Sequence, residues 1–260
     1  MSSVSFDRAA DIYDATRALP PEVDRALTDA LMKELTAVGA ERVLEVGVGT
    51  GRIARPLAER GVRVCGVDIA SRMLARLREQ LGPRHVAPDL LLGDATRLPL
   101  ADGSFPAAII VHVLHLVSSP NAALGELRRV LSPGGVFLHP ITDYPGENPW
   151  AASRQKSAEL LRGLGVVTRK RPDREEIHAM LRGLGASLRT ETVAEVQEEK
   201  TPVFWLDSTR DRIDSWSWEI PEDVFPEFFA RYEQWNREHF GDLDRVFVQK
   251  AVHQIEVWQF

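Results

Sequence analysis

Nine consecutive residues constrain this chain most: Val43-Leu44-Glu45-Val46-Gly47-Val48-Gly49-Thr50-Gly51. A short apolar run ends in an acid and three glycines at alternate positions. That is the pattern of a buried parallel strand turning sharply into a helix beneath a bound nucleotide. Glycine removes a Cβ where the backbone bends or a ligand approaches closely. A dinucleotide fingerprint, G-x-G-x-x-G, would place glycine three residues after Gly49. Arg52 stands there instead, and the third glycine comes one residue early, at Gly51.

From Arg42 the pattern alternates strand with helix. Strands are expected at 42–46, 62–67, 86–92, 107–113 and 136–141, with helices between them. Gly61 ends the first helix, Ser71 is expected to cap the second, and Ser132-Pro133-Gly134-Gly135 stops the third. Further strands are expected at 187–199 and 245–258, and helices at 151–162, 173–184, 203–214 and 222–239. Such alternation implies an α/β fold: a doubly wound, Rossmann-like, seven-stranded and mostly parallel sheet with helical lid insertions. Residues 5–38 read as helical with a break at Pro20-Pro21. We therefore expect one domain over 1–260, with an N-terminal helical cap at 1–40, a cofactor-binding core at 42–141, and lid or acceptor segments at 143–171 and 201–242.

Composition removes several classes of function. The chain has 260 residues, 44% of them hydrophobic, enough for a substantial core. A net charge of -6 argues against a nucleic-acid binder, which usually carries a basic stripe. No apolar stretch has the length needed to cross a membrane. The first ten residues lack the apolar segment of a secretory signal, so a cytoplasmic protein is the simplest expectation. A single cysteine, Cys65, excludes an internal disulfide and a cysteine-based metal site, and it is expected in the core.

In a doubly wound sheet, ligands sit at the carboxyl ends of the strands. Acids occupy three of those ends here: Glu45, Asp68 and Asp94. Asp68 follows Gly51 by 17 residues, at the neighbouring strand tip, where a carboxylate can accept both ribose hydroxyls. Asp94 can accept the exocyclic amine of an adenine. Asp68 alone does not separate a nicotinamide dinucleotide from other adenosine ligands.

Taken with Gly93-Asp94-Ala95, Leu98-Pro99-Leu100, Ser104-Phe105 and Leu127-Arg128-Arg129-Val130-Leu131-Ser132-Pro133-Gly134-Gly135, the series resembles the class I S-adenosylmethionine-dependent methyltransferases. The likeness is to the broad small-molecule group that includes quinone-biosynthesis enzymes, and it covers 42–141. The resemblance implies S-adenosyl-L-methionine as cofactor. Gly47, Gly49 and Gly51 would lie along its methionine part, with Glu45 near the ammonium group. Asp68 would hold the ribose, Ile69 and Met73 would pack on the adenine, and Asp94 and Ala95 would meet its edge. Val111 and His112 would line the methyl donor. Tyr13 and Arg17 resemble an N-terminal element that closes over the cofactor: Arg17 would pair with its carboxylate, and the Tyr13 ring would face the sulfonium. The plainer alternatives are that Ile69 and Met73 are core residues and that Tyr13 and Arg17 cap a surface helix.

His112 and His115 are the candidate bases for the acceptor, with His139 and Tyr144 as outer candidates. Three residues apart, the two histidines suggest a metal pair only if a third ligand exists, and none is in view, so no metal is expected. A structural role for either is the competing expectation. Residues 201–242 hold four of the six tryptophans, Trp205, Trp216, Trp218 and Trp235. Their aromatics would suit an apolar or aromatic small-molecule acceptor. The alternative is that they only pack the insertion's own helices. Two other functions compete: a non-catalytic S-adenosylmethionine-binding module and a nicotinamide oxidoreductase. The oligomeric state and the methylated atom are not encoded in any motif.

Overall fold

The computed structural model describes residues 2–81, 89–146 and 148–260, with Ala15 described by its backbone alone. The chain divides into two compact units. The first comprises Met1–Thr142, Arg171–Ala194 and His253–Phe260, and the second Asp143–Lys170 and Glu195–Val252.

The N-terminal segment has a short turn of 3-10 helix at Asp7–Ala9, then α1 (Tyr13–Arg17) and α2 (Pro21–Ala37). Pro21 at the first helical position restarts the chain after the break. The alternating part follows: β1 (Arg42–Val46), α3 (Ala54–Glu59), β2 (Arg63–Asp68), α4 (Ser71–Gln80), β3 (Asp89–Leu92), β4 (Phe105–Ile110), α5 (Pro120–Val130) and β5 (Leu131–Asp143). Then come α6 (Ala151–Gly163), α7 (Arg174–Gly183), β6 (Ser187–Lys200), α8 (Pro202–Arg210), α9 (Phe225–Phe240) and β7 (Phe247–Gln259). The third expected strand began at 86, and its first three residues lie outside the described residues.

The seven strands form one sheet in the order β3-β2-β1-β4-β5-β7-β6. The β1–β2, β1–β4, β2–β3 and β4–β5 pairs are parallel. Along β5 and β7 the contacts run in opposite senses: Gly135 meets Phe260, His139 meets Glu256 and Thr142 meets His253. β7 is therefore antiparallel to β5. The strand order reverses at β1 and β4, so the crevice lies at the tips of those strands.

Strand alternation distributes the core over two faces. Val43, Val64, Ala107, Ile109, Val136 and Leu138 pack with Leu31 and Leu35 of α2, Leu57 of α3 and Leu77 of α4. Their neighbours Leu44, Cys65, Ala108, Ile110 and Phe137 pack on the other face with Leu124 and Leu127 of α5 and Leu181 of α7. Cys65 is buried and unbridged, as its sequence position implies.

Two local expectations are corrected. Ser71 is the first helical residue of α4, and the N-cap is Ala70, whose side chain cannot cap. The Asp68 carboxylate does that work, with Oδ1 accepting the Ala70 N–H at 2.8 Å. β5 also starts earlier, at Leu131 instead of 136. Phe105 pairs with Leu131 and Ala107 with Val136, so Ser132-Pro133-Gly134-Gly135 bulges out of the strand.

The second unit has its own core of Leu161, Leu206, Ile220, Phe228 and Tyr232, with Trp216, Phe225 and Phe229 against it. Ser153 joins it by hydrogen bonds to Tyr232 Oη (2.6 Å) and Asn236 Oδ1 (2.8 Å). A ring cluster links Trp150 to Trp205, Phe240 and Phe247 at 5.4–5.8 Å between centroids. Most of the aromatic residues of 201–242 thus pack within this unit, and Phe204 is the large exception left exposed.

Candidate active site

The glycine turn closes onto the neighbouring strand. Gly47 and Val48 donate their N–H groups to the Val67 carbonyl at 2.7 and 3.2 Å. Gly47 and Gly51 have φ of +76° and +84°. A Cβ on Gly47 would stand 2.1 Å from Val113 Cγ2, and one on Gly51 2.3 Å from Leu77 Cδ1. Both positions therefore exclude a side chain for backbone and packing reasons together. Gly49, at φ +54°, has nothing within 4 Å of the missing Cβ. The middle of the turn faces open space, the close-approach surface a ligand needs.

The three strand-tip acids differ in what they still offer. Asp68 accepts the Gly49 N–H at 2.8 Å through Oδ2 and the Ala70 N–H through Oδ1. Burial raises its pKa, and those amide bonds counteract part of the rise. Asp94 accepts twice at Oδ1, from the Thr96 N–H and hydroxyl, and once at Oδ2, from the Ser3 hydroxyl at 2.8 Å. Burial alone would raise its pKa, but the bonds from Thr96 and Ser3 outweigh it and the carboxyl is lowered. Glu45 is 3% exposed, and its Oε2 is buried without a hydrogen-bond partner. Burial pushes its pKa up to about 8, with Arg52 opposing and Asp68 adding. A buried acceptor left unpaired under a glycine turn calls for a cationic donor.

The N-terminal segment is laced over these tips. Ser3 Oγ also accepts the Ser118 N–H at 3.1 Å, and the Val4 N–H reaches the Leu116 carbonyl at 2.9 Å. Arg72 of α4 donates to the Asp7 carbonyl (2.9 Å) and to Asp11 (2.8 Å). Asp14 accepts from Thr50 Oγ1 and from Gln80 Nε2. Tyr13 and Phe6 pack against Met73, which is 2% exposed, with Ala10 and Ala70. Met73 is therefore a core residue here, whereas Ile69, at 37% exposure, leaves apolar surface open at the strand tip. Burial raises the Tyr13 pKa, against the pull of Arg52 and Arg17, so the phenol is neutral at ordinary pH.

Arg52 is the residue the sequence reading missed. It entered only as the glycine that was not there. In the structure it lies 3.6 Å from Asp24, and its charge acts on Glu45, Tyr13 and His112 together. The available signal was a cation one residue past the glycine turn.

Val111 and His112 follow directly on β4, and His115 completes the loop. His112 has a φ of +56°, a left-handed conformation that costs a side-chain-bearing residue about 1–2 kcal/mol. Its ring is accessible to water yet enclosed by protein, as on a crevice wall. Burial lowers the pKa of both histidines to about 4, helped by Arg52 at His112 and by Arg171 at His115. Both are uncharged at neutral pH. Tyr144 belongs to the second unit, where burial and Glu198 push its pKa up to about 12. Among the described residues no cluster of three or more metal-ligating side chains occurs.

A reversed parallel sheet, an open glycine turn and acids at successive tips define an adenosine-cofactor-binding protein of the doubly wound class. Residues 44–139 match the family model described as a methyltransferase domain. The chain is 41% identical over 149 residues to a demethylmenaquinone methyltransferase of Beutenbergia cavernae, covering 56% of this chain and 58% of that protein. It is 33% identical over 187 residues to a demethylmenaquinone methyltransferase of a Parafrankia species, covering 63% and 70%. YcgJ from Bacillus subtilis shares the fold, with a TM-score of 0.57 at 18% identity, covering 88% of this chain and 97% of that one. This chain belongs to the class I S-adenosylmethionine-dependent methyltransferases. In the Beutenbergia alignment it spans a little over half of its relative's length. Among the described residues no helix is long and apolar enough to cross a membrane.

Proposed function

We propose that this protein transfers a methyl group from S-adenosyl-L-methionine to a small molecule bearing a quinone-type or other aromatic ring. The carrying observation is Glu45, a buried carboxyl with an unpartnered oxygen beside a glycine turn that leaves open space at Gly49. It matches the α-ammonium of a methionine moiety. Arg52 and Arg17 supply the countercharge for the α-carboxylate, Asp68 the ribose acceptors, and Asp94 with Ala95 the adenine edge. Ile69 offers its open surface to the base.

The bound cofactor supplies an activated methyl group on a sulfonium. The protein's part is then mostly alignment for an in-line displacement. Tyr13, Val111 and His112 wall the donor, and the neutral phenol and imidazole there avoid repelling a cationic sulfur. His112 and His115 are the candidate bases that the sequence offers for proton removal. With pKa values near 4 they hold protons weakly, which favours a role in shaping the pocket and donating hydrogen bonds. The quinone-type acceptor is supported by the names of the two relatives, and the acidic overall charge gives no support to nucleic acid.

Calorimetry with S-adenosylhomocysteine and with NAD tests the cofactor assignment. Selective binding of the former is expected, and equal or preferential binding of NAD overturns it. Release of S-adenosylhomocysteine from the methyl donor with a panel of naphthoquinols, hydroquinones and phenols tests transfer. Tight cofactor binding with no turnover of any panel member would favour a non-catalytic binding module.

A further inference from the structure

Besides Glu45 at the glycine turn, the first unit buries Glu34 and Glu256. Glu256 on β7 is 0% exposed. Its Oε1 accepts from Arg174 Nε at 2.6 Å and His178 Nε2 at 2.7 Å, both on α7. Its Oε2 lies 3.0 Å from His139 Nδ1. Burial alone would raise the Glu256 pKa, but His139, His178 and Arg174 together hold it at about 2. The carboxylate is therefore ionised and can only accept. Each histidine must then present an N–H to it.

That fixes a tautomer. In the neutral ring of His139 the proton then sits on Nδ1 and the lone pair on Nε2. Phe137, stacked at 5.5 Å between ring centroids, holds the ring plane. Among the described residues none makes a hydrogen bond to Nε2. His139 follows Leu138, which pairs with Ile109, so it stands level with Ile110 at the tip of β4. It stands near enough to His112, the residue on the donor wall, for a proton on one ring to disfavour a proton on the other. A buried ion network of this kind is seldom worth more for stability than an apolar packing of equal volume. An imidazole oriented by a carboxylate at a strand tip is a proton acceptor by design.

We propose that His139 Nε2 takes the acceptor's proton, with Glu256 as the positioning residue that sets its tautomer and orientation. This rests on the methyl-transfer reading above. The acceptor's O–H bond breaks and its proton goes to Nε2. The electron pair left on the acceptor forms the bond to the methyl carbon. The carbon–sulfur bond breaks, and its pair leaves with sulfur as S-adenosylhomocysteine. Glu256 stays ionised throughout and stabilises the imidazolium.

The test uses the full chain. His139→Gln should lower kcat by about 100-fold or more, the usual yield of a general base, with the affinity for S-adenosylhomocysteine unchanged. Glu256→Gln should lower kcat in the same sense and leave the affinity for S-adenosylhomocysteine unchanged. Long-range ¹H–¹⁵N correlation of ¹⁵N-histidine protein should show His139 protonated at Nδ1, and this readout needs no acceptor. A parental kcat in His139→Gln, or an Nε2-protonated His139, overturns the assignment. Failure of the parent to bind S-adenosylhomocysteine would instead overturn the methyl-donor reading.

Discussion

On the proposed reading, in which Glu45 receives the α-ammonium of the methionine part, cofactor binding becomes a proton-release reaction. Its carboxyl has a pKa of about 8 in the free protein, so at pH 7 only about one molecule in eleven carries the charge an ammonium requires. Binding at pH 7 must then expel about 0.9 proton and is weakened about tenfold, or ~1.4 kcal/mol, relative to an ionised site. The sign follows from the raised pKa: affinity is lost as pH falls below about 8, by about one decade per unit. The ligand's own amino group titrates near pH 8, so the clean window is pH 6 to 7.5, where affinity should rise more than tenfold. His112 and His115, near 4, titrate below it. Calorimetry with S-adenosylhomocysteine in buffers of different ionisation enthalpy measures both quantities. Glu45→Gln should bind weakly and lose the pH dependence, which separates Glu45 from Asp68. A dissociation constant constant within twofold from pH 6 to 7.5, with heats independent of buffer, would refute the reasoning.

The same buried acid should destabilise the free protein as pH rises from about 4.5, where the unfolded carboxyl ionises, to 8, so Glu45→Gln should melt higher than the parent at pH 8 and lose that advantage by pH 5. Gly47→Ala should cost about 2–4 kcal/mol in urea unfolding, since it adds left-handed strain to a clash with Val113. Asp68→Ala should weaken S-adenosylhomocysteine at least tenfold, about 1.4 kcal/mol, and unchanged calorimetric binding would remove the ribose assignment. Ser3→Ala should tighten the same ligand severalfold, because the Ser3 hydroxyl now occupies the Asp94 oxygen that an adenine amine would use. Weaker binding would make Ser3 part of the adenine site.

Most of the cofactor half was legible because its signals are local. Short apolar runs predict buried parallel strands, and the strand expected at 42–46 is β1, Arg42–Val46. Glycine spacing reports backbone φ, and Gly47, Gly49 and Gly51 all have positive values. Glu45, Asp68 and Asp94 stand out as acids at strand ends once the strands are placed. Cap chemistry was less legible: Ser71 looked like the N-cap, but the carboxylate of Asp68 reaches the Ala70 N–H first. The Ser132–Gly135 signal marks a break in the sequence, but its bulge inside β5 depends on pairing with Phe105 and Ala107 and leaves no local trace.

The sequence by itself determined the sheet core and its crevice, because both rest on the preferences of neighbouring backbone, and its resemblance to a known family implied the cofactor. Only the tertiary structure decided what those preferences were for. It turned Arg52 from a missing glycine into the cation facing Glu45, and it set Ser3 on Asp94. It also joined His139 to Glu256 across 117 residues of sequence. Pairings of that kind leave no periodic trace, since they are set by which strand lies beside which, and that order exists only once the sheet has formed.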